Sequence, residues 1–174
     1  MQIIGKPEIV AKGKRIKEGK SKGVALELRT LEHKSGENPS SISKKHFNQI
    51  INFKDIYYIG KINNIKKYWQ EADIAVLLSK REGLPLSLLE AAAIGRPIIS
   101  TDVTGSREIA INNYNAINIK VGDVVECSKA IIKLSRNKTL RKKYGKNSRK
   151  LVESDMALDH ICHQYYSLYR EIIC

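Results

Sequence analysis

The chain has 174 residues, 42% of them hydrophobic, which is enough for one ordinary domain with a packed core and too apolar for a disordered polypeptide. Its net charge of +13 calls for an anionic partner (nucleotide phosphates, acidic lipid headgroups or nucleic acid) and does not by itself choose among them. No apolar run is long enough to cross a bilayer, residues 1–7 lack the pattern of a secretory leader, and Cys127, Cys162 and Cys174 are too few and too scattered for a disulfide framework, which points to a reducing, cytosolic setting.

In chain order, Gln2–Gly5 reads as a short strand running into a turn. Lys6 to Gly23 is rich in Lys and Gly, shows little apolar periodicity, and is expected to be a flexible loop. Val24–Leu31 is expected to be helical, Gly36–Ser41 is a break, and Lys44–Ile51 is expected to form another short helix. Ile56–Ile59 reads as a strand ending at Gly60. Ile65, Tyr68 and Trp69 then fall at i, i+3 and i+4, one face of an amphipathic helix.

Ile74–Leu78 is a short apolar run of the kind a buried strand gives. Pro85 suits the first turn of a helix, where a missing N–H costs nothing, and Gly95 can end that helix in a left-handed conformation. Between them Leu86, Leu88, Leu89, Ala91, Ala92, Ala93 and Ile94 make the helix apolar on nearly every side, so it is expected to be buried. Glu90 would be buried with it, and a buried carboxylate needs a partner. Pro97–Ser100 is the next strand, closing a βαβ unit whose strands should be parallel. The polar segment Thr101–Glu108 follows it as a loop beside the one before Pro85, where ligands of such sheets bind.

Ala116–Ile119 is a further strand. Asp123 with Glu126 makes a capping box for a helix whose apolar face is Cys127, Ala130, Ile131 and Leu134. Asn137 caps the next helix, which carries Leu140, Tyr144 and Leu151, and a last helix from Leu158 to Ile173 shows Ile161, Tyr165, Leu168 and Ile172.

Glu82 and Glu90 stand eight residues apart, a little over two helical turns, so both acids are expected to flank one cavity at the helix start. Taken alone, that spacing is also what structural glutamates satisfied by Arg81, Arg96 or Arg107 would give. The string from Ser79 to Ile99, Ser-x-x-Glu-Gly-Leu-Pro-x-x-x-x-Glu-Ala-x-x-x-Gly-x-Pro-Ile-Ile, is more specific. It resembles the Glu-x7-Glu signature of the family 4 glycosyltransferases, retaining enzymes of the GT-B fold, and the resemblance runs from about Ile56 to the C-terminus.

The resemblance implies an α/β domain, a Rossmann-like parallel sheet with helices on both faces, forming one half of a GT-B architecture. Residues 56–174 would be its nucleotide-sugar-binding C-terminal domain, and residues 1–55 a partial or divergent start with the flexible Lys/Gly-rich loop. It implies a hexosyltransferase that moves a sugar from a nucleotide-sugar donor to a glycan or lipid-linked acceptor. With the N-terminal half missing, or supplied by another chain, activity alone would be weak or absent.

By the same resemblance Glu82 is the catalytic-site carboxylate beside the donor sugar, though not a nucleophile, and Glu90 accepts hydrogen bonds from the ribose hydroxyls. Gly83, Leu84 and Pro85 present backbone to sugar and phosphate. Leu86, Ser87 and Leu88 are expected to offer N–H groups and the positive helix end to the diphosphate, so neither metal nor cofactor is expected. Gly105 and Glu108 resemble the family's Gly-x-x-Glu segment and are read as structural or as supporting the site from behind. In one alignment Gln2–Gly5 is the family's Ile-x-Gly strand end, with an insertion before Gly60. In a second, Lys22-Gly23-Val24 resembles the family's Lys-Gly-Val, whose lysine contacts the donor diphosphate; the first is preferred and Lys22 is kept as a donor-binding candidate.

Other features carry less. His160 and His163 share a helix face without a ligand cluster and read as packed or exposed rather than metal-binding; Tyr165, Tyr166 and Tyr169 read as packing residues. Lys138, Arg141, Lys142, Lys143, Lys146, Arg149 and Lys150 form a basic stretch, either simple solubility or a contact with an anionic membrane. Ile161, Tyr165 and Ile172 are expected to leave an apolar patch facing another chain. The rival readings are a non-catalytic nucleotide-sugar-binding fragment and a basic membrane- or nucleic-acid-binding protein, nucleic acid being the less expected partner. The expected location is cytoplasmic, peripheral at the inner face of the membrane.

Overall fold

The computed structural model describes residues 8–10, 24–28, 48–49, 52, 58–61 and 65–173. Among them, strands β1 (Glu8–Val10), β2 (Val24–Leu28), β3 (Tyr58–Lys61), β4 (Ile74–Leu77), β5 (Ile98–Thr101) and β6 (Ala116–Ile119) form one sheet in the order β3-β1-β2-β4-β5-β6. β2, β4, β5 and β6 run parallel, and β1 lies antiparallel to both β2 and β3 at the far edge. The helices are α1 (Lys66–Glu71), α2 (Leu86–Ala93), α3 (Thr104–Arg107), α4 (Val124–Arg136), α5 (Lys138–Asp155) and α6 (Leu158–Ile173).

The apolar runs of β4 and β5 are buried on both faces, and their period of two divides them between two cores. On one face Ala75, Leu77 and Ile98 pack with Trp69 of α1 and Leu88, Ala91 and Ala92 of α2. On the other, Ile74, Val76, Ile99 and Ile119 pack with Cys127, Ala130 and Leu134 of α4 and Tyr144 of α5. The Rossmann-like α/β layering with helices on both faces is therefore as expected from the sequence.

The helix ends follow their local chemistry. Asp123 accepts from the Glu126 N–H at 2.9 Å and Asn137 from the Leu140 N–H at 2.8 Å, the two expected N-caps. Gly95 follows the end of α2 with φ of 73°. Arg141 is buried and donates through Nη1 to the carbonyls of Leu134 and Ser135, each at 2.7 Å, closing the C-terminal end of α4. Arg149 pairs with Glu153 and donates to the Ala93 carbonyl, so neither arginine is part of a free basic surface. At Gly145, in the interior of α5, a Cβ would stand 2.3 Å from the Gly95 carbonyl oxygen, so α5 crosses the end of α2 at backbone contact.

Several expectations are corrected. Val24–Leu28 is a strand rather than the start of a helix: it is paired on both sides, by β1 and β4, and that tertiary pairing overrides its local pattern. Glu8–Val10, inside the expected Lys/Gly loop, is also a strand, too short for any periodicity to announce it. β3 runs through Gly60 to Lys61, which pairs with Glu8. The expected loop 101–108 contains the single turn α3. Of the Lys44–Ile51 helix only Asn48 and Gln49 are described, and both are helical; Gln2–Gly5, Gly36–Ser41 and the rest of 6–23 lie outside the described residues.

Candidate functional site

β4 and β5 are parallel, with Leu77 opposite Ser100, so the segments that leave their C-terminal ends start side by side. These are the loop 78–85 and the turn carrying α3. Two contacts join them. Thr101, only 2% exposed, donates its hydroxyl to the Ser79 carbonyl at 2.5 Å. Gly105 lies against the backbone of Glu82 and Gly83: a Cβ there would be 1.7 Å from the Gly83 carbonyl oxygen and 2.5 Å from that of Glu82. Gly83 itself differs, because a Cβ built on it meets nothing within 4 Å. Among the described residues that side is open.

The loop delivers the chain into α2. Pro85, buried, takes the N-cap position with extended backbone (φ −73°, ψ 106°), and having no side-chain acceptor it leaves the helix start uncapped. The Leu88 N–H donates to the Pro85 carbonyl at 3.0 Å, so it is not one of the free groups expected. Those of Leu86 and Ser87 have no acceptor among the described residues, and the positive end of the helix dipole lies with them.

The side chains of α2 divide by face. Ser87, Leu88, Ala91 and Ala92 are buried, at the i, i+1, i+4 and i+5 positions of one stripe. Leu86 is 67% exposed, and Glu90, four residues on, is exposed with it. The expectation of a buried Glu90 is thus corrected. The helix is apolar on several sides, but its small alanines suffice for the inward stripe, and Glu90 lies on the outward one. Glu82 is half-buried in the loop, and Leu84 is exposed. Leu88 is a core residue with its N–H committed, so the fold uses this expected donor-facing position for packing. Lys22 lies outside the described residues.

Two of the nearby arginines are committed elsewhere. Arg96 donates from Nη1 to the Ala72 carbonyl at 2.7 Å, and burial pulls its pKa below the ordinary arginine value, with Asp73 acting the other way. Arg107 binds Asp102 at 2.6 Å on the surface, and that hydrogen bond holds the Asp102 carboxyl below its usual range. Arg81 is exposed. Two serine hydroxyls, Ser87 on α2 and Ser106 on α3, are buried with no hydrogen-bond partner among the described residues. Sequence reasoning did not single out Thr101 or Ser106; the signal available was the hydroxyl-rich run Ser100-Thr101-Asp102-Val103-Thr104 after a buried strand.

Among the described residues no group of three or more His, Cys, Asp or Glu is placed to hold a metal ion, and His160 and His163 are exposed on α6. Tyr165, Tyr166 and Tyr169 are 58%, 61% and 59% exposed, which corrects their reading as packing residues: α6 has no buried residue.

The chain is similar to known proteins in sequence and in fold. The chain is 32% identical over 139 residues to the N,N'-diacetylbacillosaminyl-diphospho-undecaprenol alpha-1,3-N-acetylgalactosaminyltransferase of Campylobacter jejuni, a match covering 79% of this chain and 35% of that protein. It is similar to the crystal structure of the C-terminal domain of a group 1 glycosyl transferase from Francisella tularensis, with TM-score 0.60, 26% identity, and coverage of 66% of this chain and 63% of that one. HepE of Anabaena, solved in complex with UDP, shares the fold with TM-score 0.68 at 16% identity, over 73% of this chain and 36% of that one. The chain spans about a third of the length of the curated relatives it matches. The model of the family described as glycosyl transferases group 1 matches residues 35–151, more than half of the chain, and the chain belongs to that family.

Proposed function

We propose that this chain is the nucleotide-sugar-binding domain of a retaining, family 4 glycosyltransferase of GT-B architecture, which transfers a hexose to a glycan or lipid-linked acceptor. The observation that carries the reading is the uncapped start of α2 at the C-terminal edge of the parallel sheet, with Glu82–Pro85 leading into it and Glu90 exposed on its outward face. Breaking the bond between anomeric carbon and phosphate oxygen puts negative charge on the departing diphosphate and positive charge on the sugar ring. The N–H groups of Leu86 and Ser87 are suited to meet the first. Glu82 would face the sugar, next to the open side of Gly83 and the backbone of Leu84 and Pro85, and Glu90 would accept from the two ribose hydroxyls. Lys22 remains a candidate for the diphosphate. The nucleotide-sugar enters as substrate, and no metal or cofactor is assigned to the reaction. HepE binding UDP supports a nucleotide diphosphate here, and the Campylobacter relative's name supports a lipid-linked acceptor.

Because the match spans about a third of the relatives' length, transfer is expected to need a further domain, from the same or another polypeptide. The test is calorimetric titration with UDP, GDP and their sugars. Glu90→Gln should weaken binding by about 1.5–3 kcal/mol, the worth of a charge-assisted hydrogen bond, while the fold survives. Unchanged affinity in a folded variant removes Glu90 from the ribose, and a wild-type chain that binds none of these ligands removes the donor site.

The same reading places the domain at the cytoplasmic face of a membrane. Among the described residues no helix is long and apolar enough to cross one, but Lys138, Lys142, Lys143, Lys146 and Lys150 are all exposed on α5. Each near-surface charge favours an anionic leaflet by about 1 kcal/mol. Co-sedimentation with acidic vesicles at low salt should therefore fall sharply when Lys142, Lys143 and Lys146 become Glu; no effect of the reversal, or equal sedimentation with neutral vesicles, excludes it.

A further inference from the structure

We infer that Gly105 is a positioning residue for recognition of the donor's sugar, acting through the backbone of Glu82 and Gly83; this rests on the donor-site reading above. Real Cβ atoms essentially never approach another heavy atom within 3.0 Å, yet one on Gly105 would stand 1.7 Å from the Gly83 carbonyl oxygen and 2.3 Å from its carbon. The space left by the absent side chain is where the loop is seated. Any side chain at 105 displaces the Glu82–Gly83 backbone by more than an ångström or pushes α3 away from it.

α3 is poorly placed to give way. Ser106 is fully buried, as are Ile109 and Ala110 just after it, and the Asp102 N–H before it is tied to the Ile119 carbonyl of β6 at 2.7 Å. The Thr101 hydroxyl on the Ser79 carbonyl holds the other end of the same loop. The two contacts together set the loop's height above the sheet from the neighbouring strand, while among the described residues nothing lies within 4 Å of a Cβ built on Gly83. Glu90, by contrast, takes its position from α2, whose frame is fixed by Leu88, Ala91 and Ala92 in the core. Disturbing the brace therefore separates the sugar end of the donor from its nucleotide end.

The experiment measures, on the full chain, affinities for UDP and GDP and for UDP-glucose, UDP-N-acetylglucosamine and GDP-mannose, in wild type, Gly105→Ala and Thr101→Val. In both variants the affinity for the free nucleotide should stay within about twofold, while the ratio of nucleotide-sugar to nucleotide affinity falls by about tenfold or more, as ångström-scale misplacement of a contacting group gives. A general loss of stability weakens both ligand types together and does not move that ratio. An unchanged ratio, or equal weakening of nucleotide and nucleotide-sugar, overturns the inference. If Gly105→Ala fails to fold, Thr101→Val decides by the same ratio. A wild-type chain that binds no nucleotide at all overturns the donor-site reading and this inference with it, whereas normal wild-type binding with an unmoved ratio overturns the inference alone.

Discussion

Helices α2 and α6 both carry an apolar stripe and behave differently in the fold. α2 buries Ser87, Leu88, Ala91 and Ala92 against the sheet and exposes Leu86 and Glu90. α6 is twice as long and buries nothing, although Tyr165, Leu168, Tyr169 and Ile172 recur at i, i+3, i+4 and i+7, the stripe of a helix made to pack. The difference lies in what each helix has to pack against. α2 is the crossover between two adjacent parallel strands, so its inward stripe necessarily meets the sheet. α6 follows the last strand and, among the described residues, makes its main contact with α5. An apolar stripe thus gives the face of a helix, and topology decides whether that face is covered.

The largest effect that sharpens this comparison is on stability. Leu88→Ala should cost about 2–5 kcal/mol by urea unfolding, as for any large-to-small change in a tight core, while Leu168→Ala should stay within about 0.5 kcal/mol. Equal losses at the two sites would mean that α6 is packed in solution, and the comparison would fail.

A smaller effect separates folding from binding at the start of α2. Gly83→Ala has room in the protein, so it should leave stability unchanged or raise it by up to about 1 kcal/mol through the unfolded chain. Calorimetry should show weaker binding of nucleotide-sugars at the same time. Loss of stability without loss of binding would show the open side of Gly83 to be irrelevant to the donor.

The smallest effect is electrostatic. Asp102 is held below its ordinary value of 3.8 by the Arg107 hydrogen bond. Its contribution is therefore complete above the ordinary carboxylate range and is lost as pH falls through the lowered folded value. Asp102→Asn should flatten the acid limb of the thermal stability curve slightly and leave the neutral region almost unchanged, because the pair is exposed. A large drop at neutral pH would show α3 to depend on this pair rather than on its buried residues.

What was legible in the sequence was what local chemistry decides. Pro85 and Gly95 bound α2, Asp123 and Asn137 cap α4 and α5, and the continuous apolar run Ile74–Leu77 marks a strand buried on both faces. Each signal involves residues within a turn of one another. β1 and β2 were not legible because their strand character comes from partners far along the chain. The exposure of Glu90 was hidden for a related reason: composition told how apolar α2 is, but not that Ala91 and Ala92 suffice for its inward face. The site's string was visible from Ser79 to Ile99, but the contact that seats it was not, since Gly105 owes its identity to a carbonyl on the preceding βα loop.

The contact of Gly145 with the Gly95 carbonyl has a consequence for motion. Glycine inside a helix costs about 0.5–1 kcal/mol against alanine, and here alanine would collide with backbone. At Gly145 no side chain separates the two main chains, so sliding of α5 along the end of α2 would have to pass through hard overlap at that point. Shear, which works by small shifts of interdigitated side chains, is closed to this pair. Any rearrangement of the domain would then carry α2, α5 and the strands between them as one block.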